Sequence, residues 1–65
     1  MNIIDKELEK RRGEIHFGLE VLYNLNMRIT GWDIPELNEK EASKKLFAMI
    51  DEELAKLKKE VNRDL

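Results

Sequence analysis

The chain has 65 residues, enough for one small domain, and a core of that size is only marginally stable by itself. It contains no cysteine and one histidine, which excludes disulfides and thiolate zinc sites, so we predict neither a metal nor a cofactor. Acidic and basic side chains are interleaved with a net charge of −2, which argues against a nucleic-acid-binding protein. The amino-terminal segment has no apolar run long enough for a signal peptide or a membrane span, so we expect a cytoplasmic protein.

The stretch IHFGLEVLYNLNMRIT, residues 15–30, fits two secondary structures. Apolar side chains stand at every odd position from Ile15 to Ile29, which is the period of a β-strand. That pattern allows an α-β-β-α fold with a central hairpin at 15–33. However, Ile15, Leu22 and Ile29 are also seven residues apart, which is typical of a packed helix.

The helical interpretation accounts for more of the chain. At about 100° per residue, one apolar stripe runs from the amino terminus through the disputed stretch. We call this the α1 stripe; its members are Ile4, Leu8, Ile15, Leu22 and Ile29, flanked by Leu19 and Leu25. Gly18 lies on the same side, where a missing side chain would let a neighbouring helix approach. We therefore predict a first helix at about 3–30.

A connector is predicted at 31–37. Gly31 can adopt the left-handed conformation that ends a helix, and Trp32 would then fold back onto Met27. Pro35 pushes the residue before it towards an extended conformation.

A second helix is predicted at about 39–63. Asn38 and Glu41 have the spacing of a capping box, in which each side chain accepts from the other residue's amide. Its apolar stripe consists of Ala42, Leu46, Ile50, Leu54, Leu57 and Val61. The two stripes match in length, so the sequence favours an all-α, antiparallel two-helix hairpin paired along its whole length.

A second group of apolar residues, Phe17, Val21 and Met27, is predicted to face away from the second helix. A contiguous exposed patch of this kind usually marks an interface. Two helices alone leave little core, so we expect the hairpin to dimerise into a four-helix bundle. The same patch could instead bind a different protein.

Two other residues are candidates for an interface. Trp32 would either close the end of the bundle or anchor a partner, because tryptophan is enriched among interface hot spots. Arg11 falls on the α1 stripe, where it would either reach a carboxylate such as Glu53 or fix the pairing register. His16 and Glu20 are four residues apart, but two ligands do not complete a metal site.

The segment ASKKLFAMI resembles the start of the second helix in a family of small two-helix aspartyl-phosphate phosphatases. That family carries a Ser-x-x-Leu-Asp motif, and Ser43 and Leu46 match its first two conserved positions. Phe47 stands where the functional aspartate would be, so we do not assign the chain to this family.

No phosphate-binding loop, nucleophile elbow or zinc-helix motif is present in the sequence, so we predict a protein that is not an enzyme. The expected function is that of a protein-binding regulatory or adaptor module that uses an apolar helix face and the tryptophan of the connector. The first alternative is a purely structural homo-oligomerisation module. The second is a hairpin dimer that binds nucleic acid, which would need basic residues gathered on one face.

Overall fold

A computed structural model describes residues 2–63 as two helices. Helix α1 spans Ile3–Asp33 and helix α2 spans Glu39–Arg63, with residues 34–38 between them. The predicted all-α helical hairpin is thereby confirmed. The alternative with a β-hairpin at 15–33 is wrong, because every residue in that range is α-helical.

Both helices begin at an asparagine that caps the first turn. The Asn2 Oδ1 atom accepts a hydrogen bond from the Asp5 amide at 2.9 Å, and Asn38 Oδ1 accepts from the Glu41 amide at 3.1 Å. These bonds satisfy amides that have no partner within the helix. The predicted capping box is only half formed, because the carboxylate of Glu41 pairs with Lys45 at 3.1 Å instead.

Helix α1 does not end where the glycine pattern predicts. It runs three residues past the expected boundary, and neither Gly31 nor any other of residues 2–63 has a positive φ. The helix ends at Asp33, two residues before Pro35, because Ile34 leaves the helical region at φ −128° and ψ 88°. The Ile34 amide still donates to the Thr30 carbonyl at 2.9 Å, and the Leu37 amide donates to the Ile34 carbonyl at 3.1 Å, closing a turn over Pro35.

Replacing Gly31 with alanine tests this helix end. A helical glycine in open space gains stability on replacement by alanine, and a Cβ at Gly31 would meet nothing within 4 Å. We expect Gly31→Ala to raise the free energy of unfolding in urea by about 0.5–1 kcal/mol. Gly13→Ala, within the same helix and equally open, is the matched control and should change stability in the same direction. A loss of about 1 kcal/mol at Gly31 alone would instead indicate a left-handed residue.

The two helices pack against each other only near the connector, and no side chain among residues 2–63 is buried. The Cα atoms extend over 49 × 27 × 15 Å. Two helices packed side by side would span about 15 Å in the second dimension, so the helices diverge away from the connector. The half-buried residues all lie between positions 23 and 50: Tyr23, Asn26, Met27, Thr30, Gly31, Leu37, Ala42, Ser43, Leu46 and Ile50.

Full-length pairing of the two predicted stripes is therefore wrong. Full-length pairing would bring Ile15 close to Leu54, and Leu8 close to Val61, but each of these four residues is about half exposed. A Cβ built on Gly18 meets nothing within 4 Å, so no part of α2 approaches that glycine. The physical reason is that α1 presents a different side to α2, with Tyr23 and Met27 at its centre.

Candidate protein-binding surfaces

The contact between the helices is centred on Tyr23. Its ring stacks on Phe47, with the centroids 4.7 Å apart and the planes 10° from parallel. Its hydroxyl lies 2.8 Å from the Ser43 hydroxyl, within hydrogen-bonding distance. Because its ring is packed and its hydroxyl is bonded, Tyr23 fixes which side of α1 faces α2 and which side of α2 faces α1. This contact therefore sets which sides of α1 remain free.

Polar residues beside Tyr23 satisfy their own hydrogen bonds. Asn26 Nδ2 donates to the Leu22 carbonyl at 2.8 Å, and the Thr30 hydroxyl donates to the Asn26 carbonyl at 2.7 Å. Neither side chain requires a partner from α2, which makes these residues tolerable at a half-buried position. Each ion pair among residues 2–63 joins two residues of the same helix, so no ion pair connects α1 to α2.

Tyr23, Ser43 and Phe47 were not predicted from the sequence as contact residues. A signal was present, because Leu19, Tyr23 and Met27 are spaced four apart and so share one side of a helix. The longer α1 stripe concealed it. Phe47 packs against the Tyr23 ring.

The α1 stripe lies beside the helix contact and not within it. Its centre is about 90° around the helix from the Tyr23 side. Its members are between 40% and 64% exposed, although they are all isoleucine or leucine. Leu22, together with the flanking Leu19, lines an open groove whose other wall includes Leu46, Ile50 and Leu54 of α2. The groove and the stripe form one continuous apolar surface that no other part of residues 2–63 covers.

Two of the three predicted patch residues do point away from α2. Phe17 is 66% exposed and Val21 is 46% exposed, one turn apart on the side of α1 opposite the groove. Met27 does not belong with them. It is half-buried and lines the cleft between the helices with Leu46, so its placement on the outer side is wrong.

Trp32 belongs to the last turn of α1 and not to a loop. It is 72% exposed, so it neither folds back onto Met27 nor closes the end of the hairpin. Because α1 stays helical to Asp33, Trp32 follows Val21 by 11 residues and lies about 20° from it around the helix. We define the outer face as Phe17, Val21 and Trp32.

Arg11 is held by carboxylates of its own helix. Its Nε atom lies 3.2 Å from Glu7 Oε1, and its Nη1 atom lies 3.6 Å from Glu14 Oε2. The predicted contact with Glu53 is not formed in the single chain. Its position, between Leu8 and Ile15, still places it on the side of the α1 stripe.

The pKa shifts that are resolved among residues 2–63 belong to ion pairs within one helix. The Arg12 guanidinium bonds to Glu9 and lowers the pKa of that carboxyl, and Glu53 raises the pKa of Lys56 in the same way. All four groups are at the surface, where such pairs contribute little to stability. The Nε2 atom of His16 lies 2.8 Å from Glu20 Oε1. Within residues 2–63 no group of three or more potential metal ligands occurs.

Comparison with known protein families, curated proteins and solved structures finds no match to this chain. Neither helix, as far as residues 2–63 describe them, is long and apolar enough to cross a membrane.

Proposed function

We propose that this chain acts by binding proteins and not by catalysis. Two copies would associate into a four-helix bundle through the α1 stripe and the open groove, and the bundle would bind a different protein as a regulator or adaptor. One observation carries the proposal: apolar side chains form extended surfaces on the molecule while no side chain of residues 2–63 is buried. Extended apolar surface on a soluble chain usually marks an interface.

The exposed area is larger than a compact chain of this size would have. The accessible surface is 6246 Å² for a mass of 7.7 kDa. A compact monomer of that mass exposes about 4,300 Å², so the excess is about 1,900 Å². A standard protein interface buries about 800 Å² on each partner. One hairpin therefore has enough surplus surface for a second copy.

The geometry of α1 also supports a bundle. Each helix of a four-helix bundle packs against two neighbours, which lie about 90° apart around it. On α1, the Tyr23 side and the α1 stripe are separated by about 90°. The Tyr23 side is occupied by α2. A second copy against the stripe would supply the remaining neighbour.

The outer face would remain uncovered in that assembly. Phe17, Val21 and Trp32 lie on the side of α1 turned away from both neighbours. Aromatic residues of this kind are enriched where proteins bind one another. The outer face is therefore the surface that we propose for a different protein partner.

The alternative is a structural homo-oligomerisation module. It is favoured by the length of the α1 stripe, which spans nearly the whole of α1. In that case the outer face would serve no heterologous partner.

A binding experiment with two outer-face variants separates the two functions. Cell extract is passed over the immobilised wild-type protein, the Phe17→Glu, Val21→Glu double variant and Trp32→Ala. We expect a specifically retained protein to be lost from both variants by at least about tenfold, since truncating an interface hot spot costs about 2 kcal/mol.

Lys44→Glu is the matched control, because it changes the charge by the same two units at an exposed position of the other helix. Sedimentation should show that all variants keep the oligomeric state of the wild type. Equal retention of every bound protein by wild type and both variants would contradict the adaptor role and leave the structural module.

A further inference from the structure

The apolar residues on the side of α1 that α2 leaves uncovered, within residues 2–63, follow a more regular spacing than a simple stripe requires. Eight positions are separated by alternating steps of four and three residues, which is the spacing of a coiled-coil seam. We call these positions the seam: Ile4, Leu8, Arg11, Ile15, Gly18, Leu22, Leu25 and Ile29. All lie within α1, and most are apolar. The seam predicts that a helix packs along this side of α1.

Two positions of the seam, Arg11 and Gly18, do not carry a large apolar side chain. These two positions decide whether the helix that packs on the seam runs parallel or antiparallel to α1. In a parallel pair of identical helices each position faces itself. Arg11 would then face the second copy's Arg11, and like charges in a seam repel. Gly18 would face the second copy's Gly18 and leave a void where two side chains are missing. Missing contacts of this kind cost about 2–5 kcal/mol per large side chain in a packed core.

An antiparallel pair removes both defects. The seam is symmetric about a point between residues 16 and 17, so reversing one helix pairs positions whose numbers sum to 33. Arg11 then lies beside Leu22, and its guanidinium keeps the bonds to Glu7 and Glu14 that it makes in the single chain. Ile15 lies beside Gly18, where a Cβ now meets only open space. The remaining pairs are Ile4 with Ile29 and Leu8 with Leu25.

The charges at the two ends of the hairpin favour the same orientation. Residues 33–41 carry four carboxylates and one ammonium, a net charge of −3, while residues 56–63 carry four basic side chains and one acidic side chain, a net charge of +3. An antiparallel pair brings the acidic connector of one copy to the basic end of the other. The shape agrees, since each hairpin is closed at the connector and wide at its other end.

We propose that a second copy of this chain occupies the seam in antiparallel orientation, with α1 against α1 and the two connectors at opposite ends of the bundle. This inference rests on the proposed self-association and adds its orientation and register. The seam, the position of Gly18 in open space and the surplus of about 1,900 Å² over a compact monomer all point to a copy of the same chain as the occupant.

Distances between spin labels test the orientation directly. The chain has no cysteine, so Glu36→Cys gives one label in each copy at the connector. At 1.5 Å per residue, an antiparallel pair centred between residues 16 and 17 separates the two labels by about 50 Å, whereas a parallel pair keeps them within about 30 Å. Glu52→Cys is the control. It is level with the centre of α1, so both orientations give a short distance.

The outcomes separate the inference from the proposed function. A long distance at Glu36 with a short one at Glu52 supports the antiparallel pair. Short distances at both positions in a sedimenting dimer overturn the orientation and leave self-association standing. No dipolar signal, with sedimentation at the monomer mass of 7.7 kDa, overturns both.

A seam variant provides a second, independent readout. Gly18→Leu places a large side chain against the second copy's Ile15 in the antiparallel pair and should weaken dimerisation by about tenfold or more, since overpacking costs about 1–3 kcal/mol. In a parallel pair the same change fills the void between two glycines and tightens the dimer, which would contradict the proposal. Gly13→Leu lies off the seam and controls for the change in helix propensity.

Discussion

Replacing Ile15 and Leu22 with glutamate should abolish self-association and remove most of the helix with it. Both side chains lie on the α1 stripe, about half exposed in the single chain. Burying a fully exposed side chain of this size contributes about 1.5–3 kcal/mol, and these two are already about half covered, so two changes in each copy remove about 3–6 kcal/mol from a dimer. That loss raises the Kd by at least about two orders of magnitude. Sedimentation should therefore show only monomer.

The helix should be lost together with the dimer because the single chain has no buried side chain among residues 2–63 to hold it. Helices owe most of their stability in proteins to packing of an apolar face. Circular dichroism of the double variant should therefore show a helix content well below half. The wild type at the same concentration should show nearly full helix.

The Phe17→Glu, Val21→Glu variant is the matched control for this experiment. It introduces the same charges into the same helix, but on the outer face, and should keep both the dimer and the helix. The reverse result, in which only the outer-face variant dissociates, would assign self-association to Phe17 and Val21 and contradict the arrangement proposed above.

The ends of the helices were predictable from local chemistry, except for one. Asn38 begins α2 where its side chain predicts, since capping depends on residues a few positions apart. The prediction that α1 ends at Gly31 was wrong because glycine permits a left-handed helix end without requiring it. The constraint at Pro35 is stronger, since its ring excludes helical geometry from the residue before it. A proline three to five residues beyond a glycine is therefore the better guide to this boundary.

The direction of α1 relative to α2 was not predictable from the apolar pattern. The strongest stripe of a helix indicates that something packs there, but it does not say whether the same chain or another copy supplies the neighbour. The helix contact is instead fixed by Tyr23. Its ring contacts Phe47 and its hydroxyl contacts Ser43, about twenty residues further along the chain. This contact depends on where the connector places α2. The spacing of apolar residues within α1 holds no information about that position. Met27 was misplaced for the same reason.

Dilution should unfold the wild-type protein. If folding is coupled to association, the stability of the folded state depends on the concentration of the chain. Each tenfold increase in concentration adds about 1.4 kcal/mol, which raises the Tm of a dimer of two such chains by about 3–6 °C. Over a thousandfold range of concentration the midpoint should therefore rise by about 10–18 °C, measured by circular dichroism at 222 nm.

Gly13→Ala is the control that distinguishes intrinsic helix stability from association. A Cβ at Gly13 meets nothing within 4 Å, so the change should strengthen α1 by up to about 1 kcal/mol without touching a partner. The thermal unfolding midpoints of Gly13→Ala should lie above those of the wild type at every concentration, and they should depend on concentration in the same way. A wild-type midpoint that stays constant over the thousandfold range would mean that the isolated hairpin holds itself together, and the need for a second copy would disappear. Because the hairpin packs only around Tyr23 and leaves its apolar stripe exposed to water, we expect instead a midpoint that rises with concentration.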